Sequence, residues 1–96
     1  MKIEITETTK EMNKMFNPNF VEGRDKKIIA ALESEVESED GDLHVAILNF
    51  NGSMVGKQAP CFVSIDEKIY AIGKTFAAKD YLKENGFTFK SNFWVK

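Results

Sequence analysis

The sequence predicts an α+β fold: a mostly antiparallel sheet packed with two main helices, in one domain spanning residues 1–96. Three observations carry this. Apolar residues make up 43% of the 96 and aromatic residues 11%, enough for one modest core. Short apolar runs, several of them alternating and punctuated by turn residues, cluster in the second half. Two stretches, 24–38 and 76–85, carry apolar residues at helical spacing. Strands grouped together with helices beside them favour α+β over a parallel α/β arrangement.

In chain order, Ile3 and Ile5 alternate with polar residues and read as a short strand. Thr8 with Glu11 fits a capping box, opening a short helix that turns Met12, Met15 and Phe16 inward before Asn17-Pro18-Asn19 stops it. Residues 24–38 are the main helix, with Ile28, Leu32 and Val36 recurring every four residues and Ile29 widening the stripe. Asp40-Gly41-Asp42 ends it. Residues 43–51 read as a strand, Val45 and Ile47 facing one way and Leu48 and Phe50 the other, followed by the tight-turn pair Asn51-Gly52. Residues 55–60 form a loop. Residues 61–65 and 69–73 form a hairpin around Asp66-Glu67-Lys68. The helix 76–85 turns Ala77, Ala78, Tyr81 and Leu82 to one face and stops at Asn85-Gly86. Residues 87–90 and 93–96 make a last pair of strands. The order is β-α-α-β-β-β-α-β-β.

Composition excludes several classes. No apolar run is long enough to span a bilayer, and residues 1–16 are charged throughout, with no apolar signal core. One cysteine excludes an internal disulfide framework. A cytoplasmic protein without a membrane partner is the simplest expectation. The net charge of −2 conceals two unlike halves. Residues 1–51 carry 11 acids and 6 bases, whereas residues 52–96 carry 4 acids and 7 lysines. Eight of the 11 aromatic residues also lie after residue 52. Such asymmetry speaks to partners rather than to fold.

The acidic run is the most distinctive feature. Glu33, Glu35, Glu37, Glu39, Asp40 and Asp42 fall in ten residues with no base among them. On a helix, Glu33, Glu37 and Asp40 share one face and Glu35, Glu39 and Asp42 a neighbouring one. Like charges at these spacings repel, and they sit at the end of the helix that disfavours acids. Such a run is commonly a solvated helix end. Read functionally, it presents carboxylates in place of nucleic-acid phosphates and docks on a basic groove of another protein. Glu39, Asp40, Asp42 and His44 include oxygen ligands that calcium or magnesium would accept, but their spacing is not that of an EF-hand loop, and no metal or other cofactor is expected.

The basic, aromatic half suggests a nucleic-acid surface instead. Lys74, Lys79, Lys83 and Lys90 would track a backbone while Trp94 stacks a base, most other rings filling the core. Arg24 is the chain's one arginine, which argues against reading base edges. Gly73-Lys74-Thr75 ends like a phosphate-binding loop, but the glycine needed five residues earlier is Lys68. A helix start capped by Thr75 accounts for it. His44 and Cys61 are the sole histidine and cysteine, and Cys61 lies in an apolar run typical of a buried strand. No catalytic residues are assigned.

The segment 69–96 resembles a short helix–hairpin module appended to DNA-processing proteins of phages and plasmids. The resemblance rests on Thr75-Phe76, Lys79, Leu82-Lys83, Gly86-Phe87 and Trp94, and covers under a third of the chain. The module commonly has an arginine or aspartate between its strands, where this chain has Lys90-Ser91-Asn92. The resemblance implies a phage or mobile-element origin and assigns no activity. The expectation is a small phage-type, non-enzymatic protein of the host cytoplasm. It would bind, and inhibit, a host protein that handles nucleic acid or serves in defence, using the acidic surface 33–42. The alternative is a nucleic-acid-binding module using the basic half. A homodimer pairing acidic and basic halves is a further arrangement the charges allow.

Overall fold

The computed structural model describes residues 1–17 and 23–96. Its strands are β1 (Ile3–Glu4), β2 (Pro60–Ile65), β3 (Lys68–Gly73), β4 (Thr88–Lys90) and β5 (Phe93–Val95). Its helices are α1 (Glu7–Phe16), α2 (Arg24–Ser38), α3 (Leu43–Gly52), α4 (Met54–Gln58) and α5 (Lys79–Glu84), the last preceded by a 3-10 turn over Thr75–Ala78. The strands form one antiparallel sheet in the order β1-β2-β3-β5-β4. The fold is α+β, as expected, but among the described residues five helices pack the sheet, where two main helices and one short one were expected.

Strand alternation divides the core in two. On one face Cys61, Val63, Ile65, Ile72 and Phe93 meet Ile28 and Leu32 of α2 and Ile47 and Phe50 of α3. On the other, Phe62, Ala71 and Trp94 meet Ala78, Leu82 and Phe87, with Met12 and Phe16 of α1 packed alongside. The sheet is therefore a middle layer between α2–α4 and α1 with α5.

The largest correction is residues 43–51, which are helix α3 and not a strand. Asp42 caps it, its side chain accepting from the Val45 amide at 3.2 Å. Ala46, Ile47 and Phe50 are buried, a helical spacing, while Val45 and Leu48 remain exposed. Asn51 is not a turn residue. Its side chain accepts the Gly73 amide at 2.7 Å and donates to the Asn92 carbonyl at 2.9 Å, tying the end of α3 to β3 and to the β4–β5 turn. Residues 55–60, expected as a loop, instead hold most of α4, capped by Ser53, and the first residue of β2.

Helix α1 starts two residues earlier than Thr8 implies. Thr6 and Thr9 form the capping box, and Thr9 and Asn13 are its fully buried residues. Met15, expected inside, is exposed. Pro18 and Asn19 of the expected stop lie outside the described residues; Asn17 is the C-cap. Asn13 has an architectural role. Its amide donates to the Phe62 carbonyl at 2.9 Å and accepts the Phe62 amide at 2.7 Å. Strand β1 pairs with β2 only at Ser64 and Ile65. Asn13 thus gives Phe62 the two bonds that a longer β1 would have supplied.

The β2–β3 hairpin closes on Asp66 and Glu67, with φ of +49° and +71°, the positive pair of a type I′ turn. Helix α5 stops at Gly86, φ +80°, with the Phe87 amide bonded back to the Leu82 carbonyl at 3.0 Å.

Candidate groove of aromatic rings and lysines

A surface groove of about 470 Å³ lies between the 3-10 turn and α5 on one side and the β4–β5 hairpin on the other. Thr75, Phe76, Lys79, Lys83, Phe89 and Trp94 line it. Local geometry explains why these six meet. Gly73, with φ +79°, turns the chain out of β3 into the 3-10 turn. Buried Ala78 anchors that turn, leaving Phe76 outside and 82% exposed. Residues three apart nearly eclipse in a 3-10 turn, and the Lys79 ammonium lies 5.8 Å from the centre of the Phe76 ring. Lys79 and Lys83 are four apart in α5 and share one exposed side of it, flanking buried Leu82. Phe89 and Trp94 are direct cross-strand partners with ring centroids 5.1 Å apart. Trp94 is the buried floor, and Phe89 is half exposed.

Of the five residues expected on a nucleic-acid surface, the fold brings Lys79, Lys83 and Trp94 together. Lys74 is exposed beyond the groove lining, and Lys90 pairs with Phe93, which faces α2 and α3, so its side chain leaves from the opposite face. Sequence reasoning missed Phe76 and Phe89 as site residues. The available signals were the three-residue spacing of Phe76 from Lys79 and the hairpin register that sets Phe89 opposite Trp94. Lys96 lies beyond Trp94 with its ammonium 5.7 Å from the Phe87 ring.

The acidic run is distributed differently from the helical wheel. Helix α2 ends at Ser38, so Asp40 and Asp42 do not extend its faces. Asp40 adopts φ +53°, and Asp42 is spent as the α3 cap. Glu39 accepts from the Asn49 amide at 2.9 Å. Glu33 and Glu37 line a shallow groove of about 430 Å³ with Met1, Ile3, Val36 and Gly41. Glu35 is partly buried. None of the six forms an ion pair among the described residues.

The remaining motifs resolve structurally. The Gly73 amide is taken by Asn51, and Lys74 rather than Thr75 occupies the N-cap position of the 3-10 turn, without a side-chain cap bond. Cys61 is buried, and burial pushes its thiol up to about 11 against a smaller opposing effect of Arg24, leaving it protonated at neutral pH. Exposed His44 stacks edge-on against Phe93 at 5.2 Å. Glu39, Asp40, Asp42 and His44 form no metal-binding group among the described residues. No helix among them is long and apolar enough to cross a membrane.

No protein-family model, no curated protein and no solved structure matches the chain.

Proposed function

We propose that the chain is a non-enzymatic binding module that takes single-stranded nucleic acid in the Phe76–Phe89–Trp94 groove. One observation carries the reading: the exposed rings of Phe76 and Phe89 and two lysines of one helix face converge on the same groove. Bases stack on aromatic side chains regardless of sequence, and lysines follow the phosphates. The charged groups among the lining residues are two ammonium ions, which suit a phosphate backbone better than base edges. Five of the six lining residues also belong to the set on which the resemblance to the phage and plasmid helix–hairpin module rests, consistent with a mobile-element setting in a host cytoplasm.

The single tryptophan makes the test direct, because Trp94 fluorescence reports the groove. Titration with a single-stranded oligonucleotide quenches it, and the affinity falls with salt at a log–log slope of roughly −1.4 if Lys79 and Lys83 each neutralise one phosphate. An acidic peptide that binds where oligonucleotides do not overturns the reading.

A second reading rests on Glu33 and Glu37, which border a shallow groove with Met1, Ile3, Val36 and Gly41. That edge suits a basic surface on a host protein, which the chain would inhibit by occupying it. Charge complementarity of this kind sets encounter rate and register more than affinity.

A further inference from the structure

We propose that Phe76 is the ring on which the base stacks, and that Lys79 guards its face in the free protein and moves to the phosphate when the base arrives. This rests on the single-strand reading and assigns its working residues. Phe76 is 82% exposed, far more than any other aromatic residue lining the groove, so it contributes almost nothing to the core. A lone exposed ring is ordinary, but Phe76 shares its groove with half-exposed Phe89, and a clustered apolar patch of this kind marks an interaction site. Its position is nevertheless determinate, because the 3-10 turn is anchored by buried Ala78 two residues after it. Trp94 and Phe89, by contrast, already pack against each other, ring centroids 5.1 Å apart and planes tilted by 56°, and form a wall.

The occupant of the Phe76 face in the free protein is the Lys79 ammonium, 5.8 Å from the ring centre. A cation over a ring face satisfies the ring weakly at an exposed site. A base offers a larger contact, and its phosphate offers the ammonium a full opposite charge. Both partners of the internal pair are exchanged for better ones in a single step. Lys83, one turn along α5 on the same face, remains as a plain phosphate contact.

The test compares an oligothymidylate of about ten nucleotides, within the span that one small module covers, with an abasic oligomer of the same length. Both are titrated at about 50 mM salt, where electrostatic contacts are strong. The wild-type protein is expected to prefer the base-bearing oligomer by roughly tenfold or more. Phe76→Ala abolishes that preference and leaves abasic binding unchanged. Lys83→Gln weakens both oligomers alike and leaves the preference intact. The Lys79 side-chain methylene protons, shifted by the ring in the free protein, return toward ordinary positions on saturation. If Phe76→Ala retains the preference, or the Lys79 resonances do not move, the assignment is wrong while the single-strand reading stands. If neither oligomer binds, the reading itself falls and the assignment with it. Phe76 lies outside the core, so loss of folding does not confuse the result.

Discussion

Replacing Asn13 with alanine tests the architecture at its most concentrated point. Asn13 is 1% exposed and makes two short bonds to one backbone residue, Phe62, at the place where β1 no longer covers β2. Its removal leaves a buried amide and a buried carbonyl without partners. Each orphaned group costs about 1–3 kcal/mol, so the pair sums to roughly 2–6 kcal/mol. A water admitted to the vacated site recovers part of that, which places the expected loss near about 3 kcal/mol. For a domain of this size that lowers Tm by about 12–24 °C. Urea and thermal unfolding measure it directly. Asn13→Asp supplies a signed control. The carboxylate still accepts the Phe62 amide, but it faces the Phe62 carbonyl without a proton to donate. Burial raises the aspartate's folded pKa above its unfolded value, so this variant recovers stability relative to wild type as pH falls and the carboxyl gains a proton. A loss below about 1 kcal/mol for Asn13→Ala, or an Asn13→Asp deficit that does not narrow in acid, would refute the strand-substitute role.

Four further outcomes follow from the same structure. Gly56→Ala drives a methyl group into the Phe50 carbonyl, a backbone atom that has nowhere to go, and should destabilise by roughly 2–3 kcal/mol in urea unfolding. Glu37→Lys removes an exposed acid from the last turn of α2 and should stabilise by about 0.3–1 kcal/mol; no gain would mean that the run is compensated by something beyond these contacts. Cys61 titrates near 11 when folded against 9.0 as an ordinary thiol, so the unfolded chain releases its proton first. Folding stability therefore declines as pH rises from 9.0 toward 11, by up to about 2–3 kcal/mol, and Cys61→Ala flattens that decline. Tyr70, raised by burial and then by Asp66, adds a smaller loss of the same sign at higher pH. Lys83→Gln should reduce the salt slope of oligonucleotide binding by about 0.7, read from Trp94 fluorescence at several salt concentrations.

Much of this fold was legible in the residues. Helix α2 matched its predicted bounds because Ile28, Leu32 and Val36 leave no competing strand pattern, and the β2–β3 hairpin and the Gly86 stop were marked by their turn residues. Helix α3 was misread because Val45, Ile47, Leu48 and Phe50 satisfy the strand template and the helix template together. Its exposed Val45 and Leu48 blur the helical stripe, and what decides for helix is the Asp42 cap and packing against α2. The groove was half legible. Lys79, Lys83 and Trp94 stand out by charge and ring type. Phe76 and Phe89 do not by ring type alone, since the rings that fill the core look the same; only their spacing and register relative to Lys79 and Trp94 set them apart. Lys90 was misplaced by a matter of parity: one residue along β4 exchanges one face of the sheet for the other.

The bonds between Asn13 and Phe62, and those between β1 and the end of β2, join residues about fifty to sixty positions apart. On the ribosome this sets an order. The segment that carries β1 and α1 emerges well before the strand it must pair with, and it finds no partner for its strand or its buried amide until the β2–β3 hairpin has been made. Helix α1 is therefore made before its partner and docks after it, with Met12 and Phe16 uncovered until residues 60–73 have followed.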